Sequence, residues 1–117
     1  MDLANKIVLT GVKPTGTLHI GNYVGAIRPA IELGNQVINN GGKLVMFVAD
    51  YHAINFMKDA EKLSQIIKEA ACTYLACGLD PEKAIFFRQS DIPEVFEMTS
   101  LLTNYTPKGF MNKAHAY

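Results

Sequence analysis

Cysteine is scarce, an excess of either charge is missing, and no long apolar run occurs; each absence removes a class of protein. Cys72 and Cys77 stand five apart in a stretch that reads as helix. That spacing puts them on different sides of the helix and suits neither a disulfide framework nor a zinc ligand set. Both are expected to be buried free thiols. Eleven Lys and Arg balance eleven Asp and Glu, so the chain lacks the basic excess of a surface that grips nucleic acid mainly by its phosphates. No apolar run approaches the roughly 18 residues that suggest a membrane span, and Met1 to Lys6 is short and polar. A membrane is therefore not expected, and a reduced cytoplasm is the expected location. Internal repeats, low-complexity tracts and interdomain linkers are also missing. At 117 residues with 49% hydrophobic content, one domain with one core is the expectation.

What is present alternates between two periods. Ile7-Val8-Leu9-Thr10 is a short, β-branched apolar run stopped by Gly11, as in a buried parallel strand. Gly11 to Gly16 reads as a loop. From His19 to about Asn39, Ile20, Tyr23, Val24, Ile27, Ile31 and Leu33 recur at roughly helical spacing before the turn Asn39-Asn40-Gly41-Gly42. Lys43 to Asp50 is a second apolar run that ends in a carboxylate. Asp59 is a plausible N-cap for a helix to Cys77, with Gly78 as its stop. Ala84 to Phe87 is a third strand, and Pro93 opens a helix to about Asn104. Alternating strands and helices predict an α/β fold, a Rossmann-like parallel sheet with helices on both faces. Met46, Met57, Met98 and Met111 read as core filler.

In such a sheet, ligands bind outside the carboxyl ends of the strands. Three loops fall there: Gly11 to Leu18, Asp50 to Asn55, and Arg88 to Ile92. The first carries small residues and the cation Lys13 and runs into His19-Ile20-Gly21-Asn22 as a helix begins. Orphan N–H groups and the positive dipole end make that point a seat for an anion such as phosphate. Its spacing is neither G-x-G-x-x-G nor Walker A, which disfavours ordinary dinucleotide and P-loop sites. Gly21 weakens the helix by roughly 1 kcal/mol relative to alanine. Either a flat ring approaches the backbone there or the helix packs tightly on a strand. Asp50 either orients its loop or caps a helix.

Pro14-Thr15-Gly16-Thr17-Leu18-His19-Ile20-Gly21-Asn22 resembles the HIGH signature of class I aminoacyl-tRNA synthetases, with asparagine in place of the last histidine. Asn22-Tyr23-Val24-Gly25-Ala26-Ile27, Ala49-Asp50-Tyr51-His52-Ala53-Ile54, Ala76 to Lys83, and Gln89 to Glu94 resemble successive blocks of the bacterial tryptophanyl branch of that family. Four blocks in order, spanning nearly the whole chain, make a specific pattern. The resemblance implies ATP-dependent activation of tryptophan to its adenylate, with Mg2+, followed by transfer to tRNA(Trp).

By that resemblance Lys13, Pro14, Thr15, His19, Gly21 and Asn22 bind ATP, with His19, Asn22 and Thr15 as the catalytic candidates. Gly21 leaves room for adenine. Leu9, His52 and Gln89 border the tryptophan pocket, although His52 could instead cap a backbone carbonyl. Lys13 and His19 depart from the glutamine and threonine common in bacterial relatives. No metal ligand is assigned. His115 and Lys113 are expected on the surface. No Lys-Met-Ser-Lys-Ser segment occurs, and neither does a helical anticodon-binding region. Residues 1–117 are therefore expected to be the N-terminal half of the catalytic domain, weakly active or inactive alone, homodimeric at full length, and touching tRNA mostly through other regions. The alternatives are a nucleotidyltransferase of the same superfamily and a catalytically silent nucleotide-binding fragment.

Overall fold

Three strands, β1 (Ile7–Val12), β2 (Lys43–Val48) and β3 (Ile85–Arg88), pair in parallel in the order β1-β2-β3. The computed structural model describes residues 3–14 and 16–113. Between β1 and β2 run α1 (Ile20–Asn22), a π-helical turn (Tyr23–Ile27) and α2 (Arg28–Asn39) as one continuous helix. The short α3 (Asp50–Ala53) and the long α4 (Ala60–Ala76) connect β2 to β3. A 3-10 turn (Gln89–Asp91), α5 (Pro93–Tyr105) and α6 (Lys108–Met111) follow.

The π turn has a local cause. Pro29 has no N–H, and in a regular helix its ring would strike the carbonyl four residues back, that of Gly25. The turn widens instead, and the Arg28 N–H reaches the Tyr23 carbonyl, five residues back.

Both long connections end in the same device. After α4 the Gly78 N–H bonds the Leu75 carbonyl and the Leu79 N–H bonds that of Tyr74, at 3.0 and 3.1 Å. This Schellman closure requires the left-handed φ of +101° that Gly78 adopts. The hydrophobic contact that goes with it puts Leu79 and Tyr74 in one core cluster. After α2, Gly41 at φ +78° and Gly42 close on Ile38 and Val37 in the same way.

The Rossmann-like parallel sheet is as expected, with one refinement in how the helices cover it. Right-handed crossovers that step twice in the same direction deliver their helices to one side. Ile27 of the π turn, Ile31 of α2 and Tyr74 of α4 accordingly share a single buried cluster with Leu44 and Met46 of β2. The opposite face carries the row Leu9, Val45, Ile85 and the row Gly11, Phe47, Phe87 in register. Ile7, Leu9 and Ile85 on that face are 67%, 66% and 53% exposed. Phe47 lies across Gly11 and stacks on Phe87 with ring centroids 5.7 Å apart.

Two expectations about sulfur are corrected. Cys72 is exposed and Cys77 half-buried, because α4 buries Ile66, Ala70 and Tyr74 and turns Cys72 to the other side. Met46 is core, but Met98 is 56% exposed on α5, a helix with no buried residue. Among the described residues no helix is long and apolar enough to cross a membrane.

A Cβ at Gly42 would lie 2.2 Å from the Lys6 carbonyl oxygen, a backbone atom that cannot rotate away. Gly42→Ala is expected to lower the stability of the chain by about 1–3 kcal/mol, as overpacking does. A Cβ at Gly25 would meet nothing within 4 Å, so Gly25→Ala is expected to be neutral or to stabilise by up to about 1 kcal/mol. Denaturant unfolding of the two variants beside the parent checks the contrast.

Candidate active site

Parallel pairing brings the carboxyl ends of β1, β2 and β3 to one edge, and the three polar loops emerge there. The first surrounds the start of α1. His19 is the N-cap, and its Nδ1 accepts from the Gly21 N–H at 3.1 Å. Asn22 Oδ1 in turn accepts from the His19 N–H at 2.9 Å, completing a capping box. Because Nδ1 accepts, the ring hydrogen sits on Nε2. The polar atoms that this box leaves over are therefore both donors, Nε2–H of His19 and Nδ2–H of Asn22.

Gly21 has a reason that neither sequence alternative supplied. It is exposed and packs on no strand, and a Cβ there would come within 2.9 Å of the His19 ring. The absent side chain makes room for the capping imidazole. Pro14 is fully buried, and Lys13 is exposed with its Nζ 3.8 Å from the centroid of the Phe56 ring. Lys13, Pro14, Ala53, Phe56 and Met57 line a cleft of about 310 Å³. Thr15 lies outside the described residues.

The second and third loops meet each other. Asp50, the first residue of α3, is 6% exposed. Its Oδ1 accepts from the Tyr51 and Ser90 N–H groups, both at 3.1 Å, and its Oδ2 accepts from Ser90 Oγ at 2.5 Å. Asp50 thus both orients the loop and bonds the first turn of its own helix. His52 and Gln89 come together in a cleft of about 500 Å³ that Tyr51, Asn55, Phe96 and Thr99 also line. The Oε1 of Gln89 is buried and has no hydrogen-bond partner among the described residues. His52 is exposed, and its side chain is in none of the side-chain hydrogen bonds among the described residues, so it caps no backbone carbonyl there. Leu9 is apart from both clefts, on the uncovered face of β1. Lys113 is exposed, and His115 lies outside the described residues.

Two features escaped the sequence reading. The Asp50–Ser90 contact joins residues forty apart, and nothing local in the chain signals it. Arg88 and Asp91 clasp the Gln89 turn, Arg88 donating from Nη2 to Asp91 Oδ1 at 2.5 Å and from its backbone N–H to Asp91 Oδ2 at 3.1 Å. Arg-x-x-Asp before a proline-initiated helix was its available signal. The Arg88 side-chain hydrogen bond, then its backbone N–H, holds the Asp91 carboxyl below its ordinary value.

With this geometry in hand, the comparisons with known proteins are direct. The family described as class I tRNA synthetases for tryptophan and tyrosine matches residues 2–117. The chain belongs to this synthetase family. It is 53% identical to the tryptophan–tRNA ligase of Bordetella pertussis over 97% of its own length and 24% of that protein's. With the tryptophan–tRNA ligase of Neisseria meningitidis it shares 51% identity over 98% of the chain and 33% of the relative. The synthetase chain thus spans about a quarter to a third of the length of these relatives. Tryptophanyl-tRNA synthetase of Campylobacter jejuni, solved in complex with ADP and tryptophan, superposes with a TM-score of 0.82 at 41% identity, over 94% of this chain and 33% of that one. The tyrosyl-tRNA synthetase of Archaeoglobus fulgidus, at 20% identity and a TM-score of 0.59, shares the fold.

The Arg88–Asp91 pair gives a pH expectation. A carboxyl lowered in the folded state contributes stability above its ordinary value, and the contribution is lost as pH falls through the lowered one. The Asp91 side chain, followed by NMR, is expected to titrate below the ordinary 3.8 and to return toward it in Arg88→Ala. An unchanged midpoint in that variant would contradict the assignment.

Proposed function

We propose that this synthetase chain is the ATP-loop half of a tryptophan–tRNA ligase catalytic domain. At full length the protein activates tryptophan with ATP and transfers the product to tRNA(Trp). The observation that carries the reading is the His19–Asn22 capping box, which commits the acceptors of both side chains to the backbone and leaves donors at a helix start. Charge develops on phosphate oxygens as the tryptophan carboxylate attacks the α-phosphorus and pyrophosphate leaves. Donors held in place before that charge appears stabilise it without reorganising. The chemistry then rests on positioning and electrostatics, and no covalent enzyme nucleophile is required.

His19 and Asn22 act on the phosphates, and the family resemblance adds Thr15 to them. Gly21 keeps the imidazole in its place, and Lys13 and Pro14 form the wall of the loop. Lys13 adds a cation within reach of the phosphates, with its ammonium resting on Phe56. Mg2+ enters as the counter-ion of ATP, held by phosphate oxygens; among the described residues no group of three or more His, Cys, Asp or Glu could hold a metal ion. His52 and Gln89 bound the tryptophan pocket. The buried, unpartnered Oε1 of Gln89 supports that placement, since an N–H of the ligand would satisfy it. Leu9, 66% exposed on the open face of β1 and apart from this cleft, is assigned to the pocket by the family resemblance alone. The cytoplasm is the place of action. The exposed apolar helix α5, with Phe96, Leu101, Leu102 and Tyr105, supports a homodimer at full length.

ATP–pyrophosphate exchange tests the reading. In the protein at its natural full length, exchange is expected with tryptophan and not with tyrosine or without amino acid, and His19→Ala is expected to slow it by about 100-fold, the scale of one lost transition-state donor. Tyrosine-dependent exchange, or His19→Ala exchanging at the parent's rate, would contradict it.

A further inference from the structure

We infer that Asp50 is the positioning residue of the amino-acid pocket, through which the loop after β2 and the loop after β3 are held as one unit. The inference rests on the tryptophan-pocket reading of His52 and Gln89. Asp50 leaves β2 at its carboxyl end, Ser90 follows β3 at the adjacent end, and the two strands pair in register up to Val48 and Arg88. The buried Asp50 carboxyl closes this edge with two N–H donors on Oδ1 and one O–H donor on Oδ2. His52 lies two residues after Asp50, and Gln89 lies immediately before Ser90. A rotation of α3 against the 3-10 turn would therefore move the two walls of the 500 Å³ cleft relative to each other. Asp50 does not line that cleft, so its effect on ligand is indirect.

The ATP loop is built differently. It depends on its own capping box and on Pro14, and no hydrogen bond links Asp50 to His19, Asn22 or Lys13 among the described residues. Loss of the Asp50 clamp is therefore expected to separate the two substrates: tryptophan binding suffers and ATP binding does not. A residue that merely stabilised the fold would lower the melting temperature and leave the ratio of the two affinities unchanged.

The chemistry of the clamp also defines its rescue. Asparagine keeps one oxygen, which can accept the Tyr51 and Ser90 N–H groups as Oδ1 does now. Its Nδ2–H can donate to Ser90 Oγ, because a hydroxyl accepts as readily as it donates. Alanine supplies none of these and leaves two N–H groups without partners.

The experiment is equilibrium binding of tryptophan and, separately, of ATP to the protein at its natural full length, for the parent, Asp50→Ala, Asp50→Asn and Ser90→Ala. Asp50→Ala is expected to weaken tryptophan by about tenfold or more, the loss of hydrogen bonds to a charged acceptor, with ATP held to within about threefold. Asp50→Asn is expected to recover most of the loss, and Ser90→Ala to fall between. Equal losses for both substrates in Asp50→Ala, or an unchanged tryptophan affinity, would overturn the inference. Where Asp50→Ala does not fold, Ser90→Ala decides: a selective loss of tryptophan affinity supports the clamp, and none overturns it. Failure of the unaltered parent to bind tryptophan at all would overturn the pocket reading, and the inference with it.

Discussion

Parallel pairing of three consecutive strands is the constraint on which everything else depends. A chain that must return to the same end before each new strand sends all its strand-to-helix loops to one edge and all its return turns to the other. The return edge is fixed by two Schellman closures, at Gly41 and Gly78, which stop the helices where the strands must begin. The other edge receives His19, Asp50 and Gln89 from segments far apart in sequence. The sheet places these residues together, and their own hydrogen bonds then set the local geometry.

That local geometry is of two kinds. Around His19 the bonds are short-range and self-contained: cap, capping box and the bare Gly21 against the ring. Around Asp50 they are long-range, tying one loop to another through a buried carboxyl group. The first kind leaves two donors over at a helix start; the second joins the loops that line a cleft. The proposed adenylating site would use both, because a charged leaving group and a shaped acid substrate must meet at one phosphorus atom.

Much of the fold was legible because its signals are local. The three apolar runs stop where polar loop residues begin, Asp59 caps α4 as expected, accepting from the Lys62 N–H at 3.0 Å, and Gly78 stops that helix. The loops that carry Lys13, His52 and Gln89 were legible for the same reason. What was not legible depends on neighbours distant in sequence or on the handedness of connections. The shared side of α2 and α4 follows from two crossovers stepping the same way, and it leaves Leu9 open rather than enclosed. The exposure of Cys72 depends on which stripe of α4 meets the sheet. The π turn was written in Pro29, but only the helix around it shows which carbonyl has to be spared. The role of Asp50 was left open between loop and cap, and the partner that resolves it stands forty residues away.

The central claim is that ATP sits at the junction of β1 and α1, on donors prepared by the His19–Asn22 box. Amide and imidazole 15N shifts recorded during a titration with ATP and Mg2+ test it most directly. The account expects Nε2 of His19 to carry the ring hydrogen before nucleotide is added, and the largest changes to fall on Lys13, His19, Gly21 and Asn22. Changes centred instead on the cleft between α4 and β3, lined by Leu63, Ile67 and Phe86, with the His19 ring undisturbed, would contradict it.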